Sequence, residues 1–405
     1  MKKHLGFASG VIVGLVAAIL IVFIIGGARY FGFVGLTSSS SGSVSSNLAI
    51  TPAVLSKLNN LNKMIDKKYL KYSDDLQETP AVEGLYKGLF ESLGDPYSEY
   101  YTADEFKSYN TSLEGTFEGI GATITQDPDT KEFKVAALTD NSPALKSGVQ
   151  VGDIFYTVDG EKIGDISLTD LVSKVRGKKG TTVTIQFLRG ENREVVTLPI
   201  VRDSIDAVTV SVNMLDNDTG YMILASFDKV TKKQFDEGFD KLKKQGMKRM
   251  ILDLRGNLGG DVDVCVHIAD ALLPKGLIVY TMDKDNNKLS WDSDDEHQLG
   301  MPLVVLVDRR SASASEILTG AIKDSGTGLI VGTTTFGKGI VQDVYQLNDG
   351  SAIKLTTRKY YTPSGNNIHG EGIKPDVEIE FDTDKYVEDR YDNQLEKAKE
   401  LISKM

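Results

Sequence analysis

Five consecutive apolar residues, Leu303-Val304-Val305-Leu306-Val307, run into Asp308-Arg309-Arg310 and then Ser311-Ala312-Ser313-Ala314-Ser315-Glu316. A short apolar run bounded by polar punctuation reads as a buried strand. The small residues that follow let the backbone turn sharply into a helix over residues 317–323. Such a corner can present a serine hydroxyl beside amides that have no helical acceptor. Met250-Ile251-Leu252-Asp253-Leu254 and Leu329-Ile330-Val331 are further strands of the same kind. Helical spacing precedes and follows the run at 250–254, over residues 231–244, where Phe235, Phe239 and Leu242 share a face, and over 264–273. The alternation across residues 220–381 predicts an α/β core with at least part of its sheet parallel.

A chain of 405 residues has room for two or three domains. A net charge of -11 argues against nucleic acid as a partner, because phosphate binding needs a basic surface. One cysteine, Cys265, excludes an internal disulfide, and its apolar setting makes it a small core residue. Lys2, Lys3 and His4 precede an apolar run over residues 7–25, followed by Gly26, Gly27, Ala28 and Arg29. That length spans a bilayer, so residues 1–27 are expected to be a cytoplasmic end and a single N-terminal transmembrane helix, with the body outside the cytoplasm. A cleaved signal peptide is the alternative, and it too exports the body.

Residues 28–50 form a Ser-rich linker. An N-terminal helical region is expected over 51–111. Thr51-Pro52 starts a first helix carrying Val54, Leu58, Leu61 and Ile65, and a second over 80–93 carries Val82, Leu85, Leu89 and Phe90. Both stripes read as core packing. Residues 112–201 turn to short strands and glycine turns, opening at Gly119-Ile120-Gly121 and including a short helix over 168–175. The α/β core occupies 202–383. A C-terminal amphipathic helix over 384–405 carries Tyr391, Leu395, Ala398 and Ile402 on one stripe.

Ser313-x-x-Glu316 ahead of Ile317-Leu318 fits a capping box, and taken alone the segment is best explained that way. Three features favour chemistry. Gly259-Gly260 follows a buried strand, where open amides and that of Ala314 can meet a developing oxyanion. Lys338 lies between Gly337 and Gly339, and Lys338 and Gln342 are four apart, on one face in either strand or helix. Of the histidines beyond the N-terminus, His267 falls on an apolar helix and His297 beside an acidic run, leaving His369 as the rival base. No Gly-x-Ser-x-Gly elbow and no His-Glu-x-x-His cluster occurs, so no metal or other cofactor is expected. A lysine of ordinary pKa, about 10.4, is protonated at neutral pH and must be desolvated to act as a base. Gln342 can orient the amine without adding negative charge, and Phe336, Ile340 and Val341 can supply an apolar wall.

Gly-Ile-Gly-Ala at 119–122, Ser-Pro-Ala at 142–144, Gly-Asp at 152–153 and the late strand pair resemble a bacterial PDZ domain. The resemblance implies a mainly-β domain that takes a chain end as an added strand. Gly119, Ile120 and Gly121 would hold the carboxylate, and Leu171 and Val175 would line an apolar pocket. Ser-Ala-Ser-Ala-Ser-Glu, Thr-Phe-Gly-Lys-Gly, Leu-Asp-Leu-Arg-Gly-Asn-x-Gly-Gly and Gly-Ile-x-Pro-Asp resemble the carboxy-terminal processing, or tail-specific, proteases. Gly94-Asp95-Pro96-Tyr97-Ser98 resembles their segment before the PDZ domain. That resemblance implies Ser313 as nucleophile, Lys338 as general base, Gln342 as orienting residue, and the Gly260 and Ala314 amides as oxyanion hole. It also implies Arg176 as a coupling residue, protein substrates with accessible C-terminal tails, and a homodimer through the terminal helices. A catalytically silent PDZ scaffold and a Ser–His hydrolase using His369 are the competing readings.

Overall fold

The computed structural model describes residues 50–70, 78–294 and 299–405. The expected membrane helix, most of the Ser-rich linker and His297 lie outside the described residues. Among those described, no helix is long and apolar enough to cross a membrane.

The chain forms two compact units, one ending at Gly94 and one running from Asp95 to Met405. In the first, the helix Pro52–Lys68 starts as the sequence suggests. Thr51 Oγ1 accepts from Val54 N at 3.3 Å, and Pro52 needs no donor at the first helical position. Its apolar stripe does not build a core, however: no residue of this helix is buried, and Ile65 is 56% exposed. Periodicity identifies a face that favours cover but does not supply the cover. The second helix spans Glu78–Glu91.

The larger unit has three main sheets and a two-stranded ribbon. The glycine-punctuated segment forms an antiparallel sheet of Ala122–Gln126, Phe133–Leu138, Ile154–Val158, Thr182–Arg189 and Glu194–Val201, with Glu161–Lys162 at its margin. The helix Leu168–Val175 closes it over a core that includes Phe133, Phe155, Phe187 and Ile200. Thr116–Gly119 pairs antiparallel with Asp203–Asp206, so the entry and exit of this segment form one ribbon.

The central sheet orders its strands Val210–Met214, Thr219–Leu224, Arg249–Asp253, Leu303–Val307, Leu329–Gly332 and Val377–Glu378. Only the first pairing is antiparallel. Every residue of Leu303–Val307 is buried because both faces are covered. Leu303, Val305 and Val307 meet the helices Lys229–Lys244, Val262–Leu272 and Ala314–Ser325, whereas Val304 and Leu306 meet Ala398 and Ile402. The expected single C-terminal helix is instead two, Thr383–Asp389 and Asn393–Ile402. Arg390 ends the first at φ 57°, and the Asp392 carboxylate caps the second by accepting from Leu395 N at 2.9 Å. A second, antiparallel sheet carries Glu99–Tyr101, Ala352–Tyr361, Gly276–Asp283 and Lys288–Ser293, with Ile340–Gln346 also paired to Ala352–Tyr361.

One buried ionic cluster ties the end of a central strand to the last helix. Arg255 Nη2 lies 2.6 Å from Asp253 and 2.8 Å from Asp392, and Tyr221 donates its hydroxyl to Asp253 at 2.6 Å. Removing the cation leaves two inward carboxylates without their partner. Arg255→Ala is therefore expected to destabilise the unit by about 3–5 kcal/mol, read as a lowered denaturation midpoint. An unchanged midpoint would show that the cluster contributes nothing.

Candidate active site

The three serines of the corner have different environments. Ser311 is fully buried; its Oγ donates to Leu254 O at 2.8 Å and accepts from Asp308 N at 3.0 Å. Ser315 is also fully buried and donates to Asn257 O at 2.9 Å. Ser313 alone is partly exposed. Its backbone sits at φ 56°, ψ -115°, a region that costs a non-glycine residue about 1–3 kcal/mol. The strand-to-helix turn thus projects Ser313 without any Gly-x-Ser-x-Gly pattern.

What permits this close turn is the loop after Arg249–Asp253. A Cβ on Gly259 would lie 2.7 Å from Ala312 O and 2.9 Å from Ser313 Cβ, and one on Gly260 would lie 2.5 Å from Phe227 O. Both glycines adopt positive φ, 101° and 147°. Asn257, fully buried, holds the loop: it donates to Leu224 O at 2.9 Å and accepts from Gly259 N at 2.8 Å. Its carbonyl accepts from Ala312 N at 3.0 Å. The Gly260 and Ala314 amides make no hydrogen bond among the described residues, which leaves two donors beside the serine.

Ser313 and Glu316 stand in capping-box register, yet the Ser313 hydroxyl makes no cap hydrogen bond. The capping is done by the carboxylate. Fully buried Glu316 accepts from Ser313 N at 2.9 Å and Lys338 N at 2.8 Å through one oxygen. Its other oxygen accepts from Gly337 N at 2.7 Å and the Thr335 hydroxyl at 2.6 Å. One side chain therefore joins the serine corner to the lysine loop. Sequence reasoning saw only the local half of this role.

Lys338 is half-buried, and its Nζ lies 4.8 Å from the Tyr97 ring centroid. Burial pushes its pKa down, and the charge of Lys354 pushes it further; Asp95, Glu99 and Glu316 oppose the shift without reversing it. Neither Lys338 Nζ nor Ser313 Oγ makes a hydrogen bond among the described residues. A depressed lysine and a partly exposed serine are thus tied, through their backbone amides, to the same Glu316 carboxylate.

Residues 218–379 match the model of peptidase family S41, and residues 119–200 match a PDZ domain. The chain is 34% identical over 383 residues to the carboxy-terminal processing protease CtpA of Bacillus subtilis, covering 94% of this chain and 78% of that protein. The chain belongs to peptidase family S41. It is a C-terminal processing serine protease with a PDZ domain. A CtpA-like serine protease of Staphylococcus aureus is 36% identical over 82% of this chain, which spans 66% of that relative's length. An S41 protease structure from Bacteroides fragilis, 16% identical, shares the fold at a TM-score of 0.50 over 83% of this chain and 92% of that one.

Elsewhere in the S41 core, Lys338 precedes the strand Ile340–Gln346, in which Gln342 stands opposite Thr356. Gln342 Nε2 donates to Thr356 Oγ1 at 3.1 Å. Of the expected apolar wall, Ile340 is buried but Phe336 is 53% exposed. His369 is exposed with no ring hydrogen bond among the described residues, His267 pairs with Asp236 at 2.8 Å, and Cys265 is fully buried with its thiol pushed up by desolvation.

In the PDZ domain, Gly119 ends its strand opposite Asp203, and the Ile120 and Gly121 amides make no hydrogen bond among the described residues. Leu171 and Val175 are packed into the domain's own core. Arg176 caps the helix end and lies over the Phe117 ring at 5.5 Å. Arg202, unnoticed in the sequence, holds that same helix end, donating to Val175 O at 2.8 Å and Lys174 O at 3.1 Å.

Proposed function

We propose that this protein cleaves polypeptides near their C-terminal tails by a Ser–Lys mechanism. Ser313 attacks the carbonyl, neutral Lys338 accepts its proton, the Gly260 and Ala314 amides receive the oxyanion, and water then releases the acyl-enzyme. The observation that carries the reading is the pairing of a strained, partly exposed Ser313 with a desolvated Lys338 across the Glu316 carboxylate. The carboxy-terminal processing named for the Bacillus relative supports the tail preference. The unpartnered amides at Ile120 and Gly121 suit a PDZ site that accepts the terminal carboxylate. The apolar run over residues 7–25 is read as an anchor that leaves this body outside the cytoplasm. Exposed apolar residues on Pro52–Lys68 suit the homodimer that the family resemblance implies.

Full-length protein is expected in the membrane fraction, where it should digest an unstructured polypeptide and take a fluorophosphonate label on Ser313. Ser313→Ala should fold and fractionate alike but neither cleave nor label, and deleting the substrate's last residues should slow wild-type cleavage. Cleavage by Ser313→Ala would sink the mechanism; recovery in the soluble fraction would sink the anchor.

A further inference from the structure

The turn Asp95-Pro96-Tyr97-Ser98 lies far from Lys338 in sequence, yet it reaches Lys338 through Tyr97 and Gln342 through Ser98 and Thr356. Asp95 Oδ1 accepts from Tyr97 N at 3.0 Å, which fixes the residue whose ring lies 4.8 Å from Lys338 Nζ. Asp95 Oδ2 accepts from the Ser98 hydroxyl at 2.6 Å. Ser98 Oγ in turn accepts from Thr356 N at 3.0 Å, and Thr356 Oγ1 accepts from Gln342 Nε2 at 3.1 Å. Strand pairing enforces these neighbours: Glu99–Tyr101 runs antiparallel to Ala352–Tyr361, and Gln342 stands opposite Thr356 beside the register shift.

The polarity of this chain has a chemical consequence. A carboxylate only accepts hydrogen bonds, so Asp95 at its end draws the hydroxyl protons of its neighbours toward itself. Hydrogen bonds from the Ser98 hydroxyl and the Tyr97 amide outweigh burial and hold the Asp95 carboxyl below the usual range. Thr356 joins this chain through its backbone amide on Ser98 Oγ, and its own Oγ1 accepts the amide nitrogen of Gln342. With that nitrogen occupied, the Gln342 carbonyl is the end left to accept from the lysine amine. A reversed amide would offer Lys338 a second set of N–H groups and no acceptor.

We propose that Asp95 and Thr356 are positioning residues of the proteolytic centre: together they set the amide orientation of Gln342 and, through Tyr97, the resting place of the Lys338 amine. This rests on the Ser–Lys reading. The Tyr97 ring holds the amine in its cationic form, and the oriented Gln342 carbonyl takes over when the amine turns toward Ser313. The groups facing Lys338 are Tyr97, Lys354, Asp95, Glu99 and Glu316, and His369 faces Asp95.

Peptide cleavage by full-length protein, measured from acid to alkaline pH, tests the proposal. Thr356→Val keeps the shape but removes the acceptor for Gln342 and should lower kcat about 10- to 100-fold with KM little changed, whereas Thr356→Ser should restore it. Neither variant changes a charge, so the pH at which the rate rises should stay put. Asp95→Asn should lower kcat similarly and also move that rise to lower pH, because one attraction for the ammonium is lost. Melting temperatures separate a folding defect from a positioning one, since Thr356→Ser and Thr356→Val should melt alike while differing in kcat. Thr356→Val and Asp95→Asn with kcat within about twofold of wild type would overturn the positioning role and leave the Ser–Lys centre intact. An active Lys338→Ala would overturn both.

Discussion

Lys338→Ala is expected to lower kcat/KM by about 10⁴-fold or more while the protein still folds, because a serine hydroxyl without a base is a poor nucleophile. Lys338→Arg should be equally inactive, since a guanidinium cannot deprotonate in a protein. The wild-type pH profile carries the mechanistic information. Burial and Lys354 depress the Lys338 pKa, so the rate should rise with pH below the ordinary lysine range of about 10.4. The same shift has a stability consequence of fixed sign. Between the folded pKa and the unfolded one, the unfolded chain binds more protons, so stability from this group grows as pH rises through that window. Lys338→Met should abolish that contribution, leaving its stability flatter with pH there. A wild-type rate that rises only near the ordinary lysine pKa would contradict the desolvated base.

Glu316→Gln is expected to be nearly as damaging despite its near-identical shape. Each Glu316 oxygen accepts two hydrogen bonds, one pair from Ser313 N and Lys338 N and the other from Gly337 N and Thr335 Oγ1. An amide group in either orientation turns its N–H groups toward one of those pairs. Buried donors left without acceptors cost about 1–3 kcal/mol each, so a loss of about 2–4 kcal/mol is expected. Glu316→Ala, which strands all four donors, should lose more. Activity should fall further than stability, because the lost bonds hold both the Ser313 corner and the Lys338 loop. Denaturation midpoints and kcat on one unstructured peptide check this; a wild-type midpoint and rate for Glu316→Gln would refute it.

The opposite chemistry of these two residues is compatible with Lys338 as the proposed base. A buried carboxylate near a lysine ordinarily stabilises the ammonium. Here Glu316 spends its oxygens on the Lys338 backbone amide and three other donors, and its charge opposes the shift only as the last of the contributions. Desolvation remains the larger effect, and the amine stays depressed.

The family resemblance singled out Ser313 among the three serines of the corner, whereas its local pattern alone read as a helix cap. Ser311 and Ser315 are satisfied by carbonyls of Leu254 and Asn257, contributed by a strand and a loop many residues earlier. Gly259-Gly260 was legible because a close backbone approach demands glycine. Asn257 belongs to the Arg-Gly-Asn-x-Gly-Gly motif, but its bracing bonds emerge only when the loop folds onto Leu224 and Ala312. The bond from Gln342 to Thr356 was not legible, because the two residues become neighbours only when their strands pair.

Buried strands, the α/β alternation, the glycine-turn domain and the residue types at the corner follow from the amino-acid order itself. Hydrophobic periodicity, helix caps and glycine demands are properties of a few neighbouring residues. Which serine points outward, what Glu316 binds, and which ring meets Lys338 were decided only by the tertiary structure. Each depends on groups brought together by strand pairing across long stretches of chain, and hydrogen-bond partners of that kind leave no mark on local sequence.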